Sequence, residues 1–168
     1  MLHVTWECYD GGIFCGLEPR ALRNLLIAAL FHDFNHSGQL TGNDDLEIER
    51  AIRGLRKHIL PVDEPFLESI ESDIRATQFP YVVSESDISL SAKILRDSDV
   101  SQGLSSVWVQ QILFGLSAEM RITPEALLAE QEKFLSSARF ITAWGKGRFE
   151  HARDQRILEA KALLEILV

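Results

Sequence analysis

Apolar residues recur every three or four positions along most of the chain, a spacing that predicts helices. In the first segment Leu2, Trp6, Tyr9 and Ile13 fall at this spacing, and the paired glycines between them weaken the end of the helix. No segment alternates apolar and polar residues regularly enough to predict a strand. The pattern therefore favours an all-α fold.

Capping residues and prolines mark where further helices begin and end. Pro19 suits the first turn of the second helix, where no backbone N–H is needed. Asn43 and the acids after it mark the start of a third helix, which runs to about His58 and is stopped by Pro61. Other helices are predicted to start at Pro65, at Ser84 or Ser86, and at Thr123, with a central helix over 107–120 and a last one over roughly 148–167. Together they predict a compact multi-helix bundle, one domain over residues 1–168.

The second helix is apolar nearly all round and ends in polar side chains. The run from Leu25 to Phe31 is followed at once by His32 and Asp33, and then by His36. Imidazoles and a carboxylate at the buried end of a helix are unfavourable unless they are paired or bind a metal. If the helix continued, His32 and His36 would share a face. Imidazole with carboxylate suits Zn, Mn, Fe or Ni, and a carboxylate-rich site also suits Mg.

The net charge of the chain limits the classes of partner that it is expected to bind. The net charge is −8 with no long basic block, which argues against nucleic acid, because backbone phosphates require clustered Lys and Arg. A small phosphorylated substrate stays compatible. No signal peptide and no apolar run of about 18 residues is visible, which predicts a cytoplasmic protein that does not enter a membrane. Whether two copies associate as a homodimer is left open.

The motif carries a family resemblance. The doublet His32-Asp33 after an apolar helix resembles the signature of the HD-superfamily metal-dependent phosphohydrolases. The longer run from His32 to Gly38 is similar to the His-Asp-x-Asp-His-Pro-Gly motif of cyclic-nucleotide phosphodiesterases, with Asn35 and Ser37 in place of Asp and Pro. The resemblance implies an HD-domain-like bundle, a divalent metal ion, and hydrolysis of a small phosphoester, in particular a nucleotide.

The same resemblance implies roles for individual residues. His32 and Asp33 would be metal ligands, joined by Asp99, which follows a small residue at the end of another apolar helix as the last ligand of the superfamily does. His36 would orient a water or bind a second metal, and Glu49 would support water or metal ligands. The simpler alternatives are a helix-end hydrogen-bonding His36, an exposed Glu49 and a solvated helix end at Asp99.

Asp97 lies two residues before Asp99, so its side chain should point elsewhere on the helix. We expect it to meet a backbone donor or a group behind the metal ligands. Lys93, Arg96, Lys146 and Arg148 are candidates for holding phosphate, although scattered basic residues are usually solvated.

The superfamily pattern contains one more His, upstream of the doublet. If Val4 matches the Val that follows this ligand by four residues, the ligand position falls one residue before Met1. Either the chain is a shortened version of a longer protein, which we favour, or His3 serves after a local shift. With three ligands, we expect a poor catalyst that improves when an upstream His is supplied. The rival function is an HD-fold binding or regulatory module that has lost catalysis.

Two local resemblances concern the substrate. Ala76-Thr77-Gln78 resembles the Ala-Thr-Asp of phosphodiesterases, with Gln78 replacing the acid. Gln131 and Phe134 resemble the pair that holds a nucleotide base in those enzymes, and residues three apart share a helix face. A surface Gln beside a core Phe is the simpler interpretation, and we favour it.

Overall fold

The computed structural model describes residues 2–36 and 44–167, and every regular element in this part of the chain is helical. The prediction of an all-α bundle is confirmed. The α-helices are α1 (Leu2–Phe14), α2 (Pro19–Phe31), α3 (Asp44–His58), α4 (Leu67–Arg75), α5 (Leu90–Asp99), α6 (Ser117–Met120), α7 (Pro124–Ser137) and α8 (Ala143–Leu167). Shorter 3-10 turns lie at Glu64–Phe66, Glu85–Asp87 and Val100–Leu104, and a π-helix lies at Val109–Leu116.

Most helix boundaries follow the capping signals of the sequence. Pro19 opens α2, Thr123 caps α7, and α3 ends at His58 as predicted. The predicted start of α5 is wrong: Ser84 caps only the short 3-10 turn, and Ser89 caps α5 by accepting a hydrogen bond from the N–H of Ala92 at 2.9 Å. The predicted start at Asn43 lies outside the described residues.

The main core surrounds α2, which packs against α1, α3, α4 and α5. The largest fully buried aliphatic side chains of this core are Leu25, Ile52, Leu55, Ile70, Ile74, Ile94, Leu95 and Leu135. Burial of each such side chain contributes about 1.5–3 kcal/mol. Because α2 and α5 are both held in this core, the polar residues at their C-terminal ends are fixed relative to each other.

The segment over 107–120 is helical but not central. Trp108 and Leu113 pack with Leu128 and Ala160 in a second, smaller cluster. The side chain of Phe114 is exposed. The prediction of a central helix is therefore wrong. The described helices include none that is long and apolar enough to cross a bilayer.

The face that α1 buries is not its most apolar one. Leu2, Trp6, Tyr9 and Ile13 are exposed, whereas Val4 and Cys8 are buried beside Gly11 and Gly12. A Cβ at Gly11 would lie 2.8 Å from the Trp144 ring, and one at Gly12 would lie 2.5 Å from Leu22. The helix approaches its neighbours through its small residues because its large side chains would not fit there.

Candidate metal centre

His32, Asp33 and Asp99 converge where α2 and α5 end. One ligand atom from each lies within 4.8 Å of the other two. His32 Nε2 lies 3.3 Å from Asp33 Oδ2 and 3.3 Å from Asp99 Oδ1. The predicted convergence of these three side chains is confirmed, and metal binding itself stays a prediction.

The end of α2 places the first two of these residues. The backbone N–H of His32 still donates to the carbonyl of Ala28 at 2.8 Å, so its imidazole stays beside the core. The chain then turns, and Asn35 adopts a left-handed φ of 59°. Asp33 lies in this turn and is exposed, which leaves the cluster open on one side. His32 and His36 do not share a helix face, because α2 ends before either residue.

The orientation of the His32 ring identifies the atom that faces the carboxylates. Nδ1 lies 2.9 Å from the carbonyl oxygen of Ala29. A carbonyl only accepts, so Nδ1 carries a proton and donates it. Nε2 is buried and has no hydrogen-bond partner in the described part of the chain. A neutral imidazole would therefore direct a lone pair at two carboxylates, an arrangement that a cation stabilises.

Protonation of His32 is the alternative to a metal ion. Burial by itself lowers the pKa of His32, but the nearby carboxylates of Asp33 and Asp99 outweigh burial and hold this pKa well above its usual value. Burial likewise raises the pKa of Asp33, while His32, with a contribution from the charge of His36, lowers it below its usual value. Without a metal, the imidazolium satisfies the two carboxylates. A divalent ion has to displace that proton.

Asp97 points away from this cluster, as predicted. Its carboxylate is fully buried. It accepts hydrogen bonds from the N–H of Ile141 at 2.7 Å, from the N–H of Thr142 at 2.9 Å and from the Thr142 hydroxyl at 2.7 Å. These donors immediately precede α8. Asp97 therefore fixes the start of α8 against α5, and both of its oxygens already accept hydrogen bonds.

The other candidate residues lie outside the three-residue cluster. His36 is exposed, and its backbone N–H donates to the Asp33 carbonyl at 3.2 Å. Glu49 accepts from Arg75 at 2.6 Å, in an ion pair whose two side chains are both about half exposed. The Nε2 of His3 lies 3.1 Å from the Ser101 hydroxyl. A catalytic part for His36 and Glu49 stays a prediction.

A cavity of about 180 Å³ opens beside Asp99. Gln131 and Phe134 of α7 line one side, and Phe79 and Tyr81 line another. Gln131 is buried, so the favoured interpretation as a surface Gln is wrong. The sequence showed that Gln131 and Phe134 share a helix face, but it gave no signal that this face meets Asp99.

The aromatic wall of the cavity was missed by the sequence analysis. Phe79 contacts both Tyr81 and Phe134 edge to face, with ring centroids 5.4 Å apart in each pair. A Phe-Pro-Tyr triplet between two helices was the available signal. It was weak, because aromatic residues in a loop more often cover a core.

Comparison with known proteins gives no match to any protein family, curated protein or solved structure.

Proposed function

We propose that this protein is a divalent-metal-dependent phosphohydrolase that acts on a small phosphoester, in particular a nucleotide. The observation that carries the proposal is the buried Nε2 of His32, which faces two carboxylates and has no hydrogen-bond partner in the described structure. Two buried helices end in these groups, whose arrangement suits a cation. A surface cluster of acids would lack the buried imidazole.

His32, Asp33 and Asp99 would hold the ion, and this donor set suits Zn, Mn, Fe, Ni or Mg. When bound, such an ion supplies Lewis acidity toward a phosphoryl oxygen and lowers the pKa of water. The chain's own contribution is orientation. The Ala29 carbonyl fixes the tautomer and the ring plane of His32, and the exposure of Asp33 leaves an open side for the phosphoester.

The cavity beside Asp99 supports a nucleotide as substrate. Asp99 is the only charged residue that lines the described cavity, whose other lining residues are apolar, aromatic or amide-bearing, with the hydroxyl-bearing Thr77 among them. Such a cavity suits an uncharged, planar group. The Gln131 amide can both donate to and accept from the edge of a base, and Phe134 offers a ring beside it. The ester phosphate would then lie at the Asp99 end.

A binding or regulatory module is the second candidate. His3 bonds to Ser101 and does not join the cluster, so within residues 2–36 and 44–167 three side chains converge where the HD resemblance implies four ligands. With fewer ligands, an ion would be held less tightly and a reacting water would be less well oriented. In this case the site would bind metal and nucleotide without turnover.

Metal titration and ester hydrolysis test the proposal. The metal-free chain is titrated with Zn²⁺ and Mn²⁺ by calorimetry, and hydrolysis of bis-p-nitrophenyl phosphate is followed with each metal. We expect about one ion per chain and metal-dependent hydrolysis, both lost in His32→Asn. The matched control is His151→Asn, which removes an exposed imidazole of α8 and should change neither. Metal binding without hydrolysis favours the regulatory module, and a chain that binds no metal contradicts both candidates.

A further inference from the structure

Segment 76–83 forms the aromatic wall of the cavity beside Asp99. It runs between α4 and the 3-10 turn at Glu85–Asp87. Three of its side chains, Thr77, Phe79 and Tyr81, face the cavity. They alternate along the chain. The N–H groups of residues 76–78 still donate to carbonyls of α4, and the N–H of Phe79 donates to the Asp44 carboxylate at 2.6 Å, but beyond Phe79 the segment is irregular. Contacts from outside the segment must therefore hold this wall in shape.

Arg96 of α5 supplies such contacts at both ends of the segment. Its Nε donates to the carbonyl of Ala76, and its Nη2 donates to the carbonyl of Val83 at 3.0 Å. Between these two points the guanidinium carbon lies 4.2 Å from the centre of the Tyr81 ring. One planar side chain thus joins the beginning, the middle and the end of the wall. The expectation that Arg96 is a solvated residue is wrong.

The surroundings of Arg96 are unusual for a buried cation. The residue is 2% exposed, and it forms no ion pair with a carboxylate in the described part of the chain. Burial lowers its pKa, and the charges of Tyr81 and Glu85 oppose this. Buried charges are ordinarily paired. Here backbone carbonyls and an aromatic face take the place of the carboxylate.

The position of Arg96 on α5 connects the wall to the metal centre. Arg96 and Asp99 are three residues apart and therefore lie on the same face of the helix. Asp99 lines the cavity at one end, while Arg96 holds the wall from behind. The same turn of α5 therefore sets the distance between the metal ligand and the aromatic wall.

We infer that Arg96 is a positioning residue that holds segment 76–83 so that Thr77, Phe79 and Tyr81 form the binding wall for the organic group of the substrate. This inference rests on the proposed function for the identity of that group. Arginine is required because its planar fork reaches two carbonyls and stacks on a ring at once, whereas the compact ammonium of lysine reaches one. A preformed wall binds more tightly than one that must be ordered by the ligand.

The test measures nucleoside binding in the metal-free protein, so it does not depend on turnover. Adenosine and guanosine are titrated by calorimetry into the wild-type chain, Arg96→Lys and Arg153→Lys. Arg153 is the matched control: it also donates to a backbone carbonyl, that of Ala138 at 3.2 Å, and also lies over a ring, that of Phe140. We expect Arg96→Lys to weaken binding about tenfold or more and Arg153→Lys to leave it unchanged.

Hydrogen exchange separates positioning from general stability. In Arg96→Lys, exchange should become faster over 76–83 and stay unchanged in α2 and α5. Arg96→Gln keeps a donor and removes the buried charge, and it replaces the lysine variant if that variant does not fold. In metal-loaded protein, Arg96→Lys should raise the KM for a nucleotide by a larger factor than it lowers kcat, because the wall binds the organic group and does not touch the reacting phosphate.

Three results would overturn the inference. The first is that Arg96→Lys binds nucleosides as tightly as the wild-type chain, and the second is that the wild-type chain binds none. The third is that hydrogen exchange becomes faster over the whole chain in both Arg96 variants. A chain that binds nucleosides but hydrolyses no ester counts against the proposed function only. The nucleoside affinities of the wild-type chain and Arg96→Lys still test whether Arg96 positions the wall.

Discussion

Asp97 and Asp99 lie two residues apart on α5, but only one of them is surrounded by donors. Asp97 accepts three hydrogen bonds from the two residues that precede α8. Asp99 faces the buried Nε2 of His32 and an open cavity. Two carboxylates at one helix end can therefore have different roles, one stabilising the fold and the other available as a ligand. The donors around a carboxylate, more than its burial, distinguish a structural group from a candidate ligand.

Other buried carboxylates extend this comparison. Asp63 is held by Arg20 and Arg23, with three hydrogen bonds between 2.7 and 2.8 Å, and these arginines keep its pKa below the usual value. Asp73 accepts a hydrogen bond from the Ser89 hydroxyl at 2.7 Å. Asp63 and Asp97 thus stabilise the fold. In the extent to which donors surround it, Asp73 is intermediate between these two carboxylates and those of the metal centre. Four substitutions test this order.

The largest effect is expected from Asp97→Ala. Removing this carboxylate leaves two backbone N–H groups and the Thr142 hydroxyl without their acceptor, beside a packed helix start. We expect the free energy of unfolding to fall by about 3–4 kcal/mol, measured by urea denaturation. The matched control is Asp99→Ala on the same helix, which should change it by less than about 1 kcal/mol. Equal destabilisation by the two would remove the distinction between them.

Asp33→Ala should show the reverse pattern: it should weaken metal binding and leave the stability of the metal-free chain nearly unchanged. Asp33 is exposed and lies in a turn, so its side chain adds little to the packing of the fold. Loss of a ligand should weaken metal affinity by about 100-fold or more, while the thermal midpoint of the metal-free chain stays close to that of the wild type. Elemental analysis and metal titration measure the first, and calorimetry the second. Unchanged metal content would count against the centre, and Asp87→Ala, at an exposed carboxylate outside the cluster, is the control.

Gly145→Ala tests the Asp97 contact from the other side. A Cβ at Gly145 would lie 2.2 Å from Asp97 Oδ2, so the carboxylate or the helix must shift. Overpacking of this kind costs about 1–3 kcal/mol, part of which alanine recovers through its helix propensity. We expect a net loss of about 1–2 kcal/mol in urea denaturation. Gly147→Ala is the control, since nothing lies within 4 Å of its added Cβ, and it should stabilise α8 slightly.

Asp73→Asn should give the smallest effect, and one that depends on pH. Burial raises the pKa of Asp73 to about 6, and the Ser89 hydrogen bond opposes the rise. Between the usual pKa of 3.8 and about 6 the folded state binds a proton that the unfolded state has lost. The free energy of unfolding therefore falls as pH rises through this window. Asparagine keeps an acceptor for Ser89 without the charge.

We therefore expect Asp73→Asn to raise the free energy of unfolding by about 1 kcal/mol at pH 7.5. At pH 4 the gain should nearly vanish, because the wild-type carboxyl is then protonated in the folded state. Urea denaturation at both values measures it. A gain that is the same at both would mean that the charge of Asp73 is not the cause.

The helices and most of their ends were predictable from the sequence. Local signals carry this information: Pro19 lacks the N–H that a first turn does not need, and Thr123 accepts a hydrogen bond within its own turn. The candidate metal ligands were also predictable from local sequence, because a histidine and carboxylates directly follow or end two apolar helices. Their convergence was predicted with the help of a family resemblance, and the structure confirms the geometry.

Which helix faces pack against each other was not predictable from the sequence. On α1 the large apolar stripe is exposed, because close approach to Trp144 and Leu22 requires Gly11 and Gly12. Gln131 and Arg96 are buried beside the cavity, although neither residue type indicates burial in the sequence. Helix spacing fixes which residues share a face, but not which face a partner covers. The choice depends on shape complementarity and on where donors such as Thr142 meet acceptors such as Asp97, and these contacts join residues far apart in the chain.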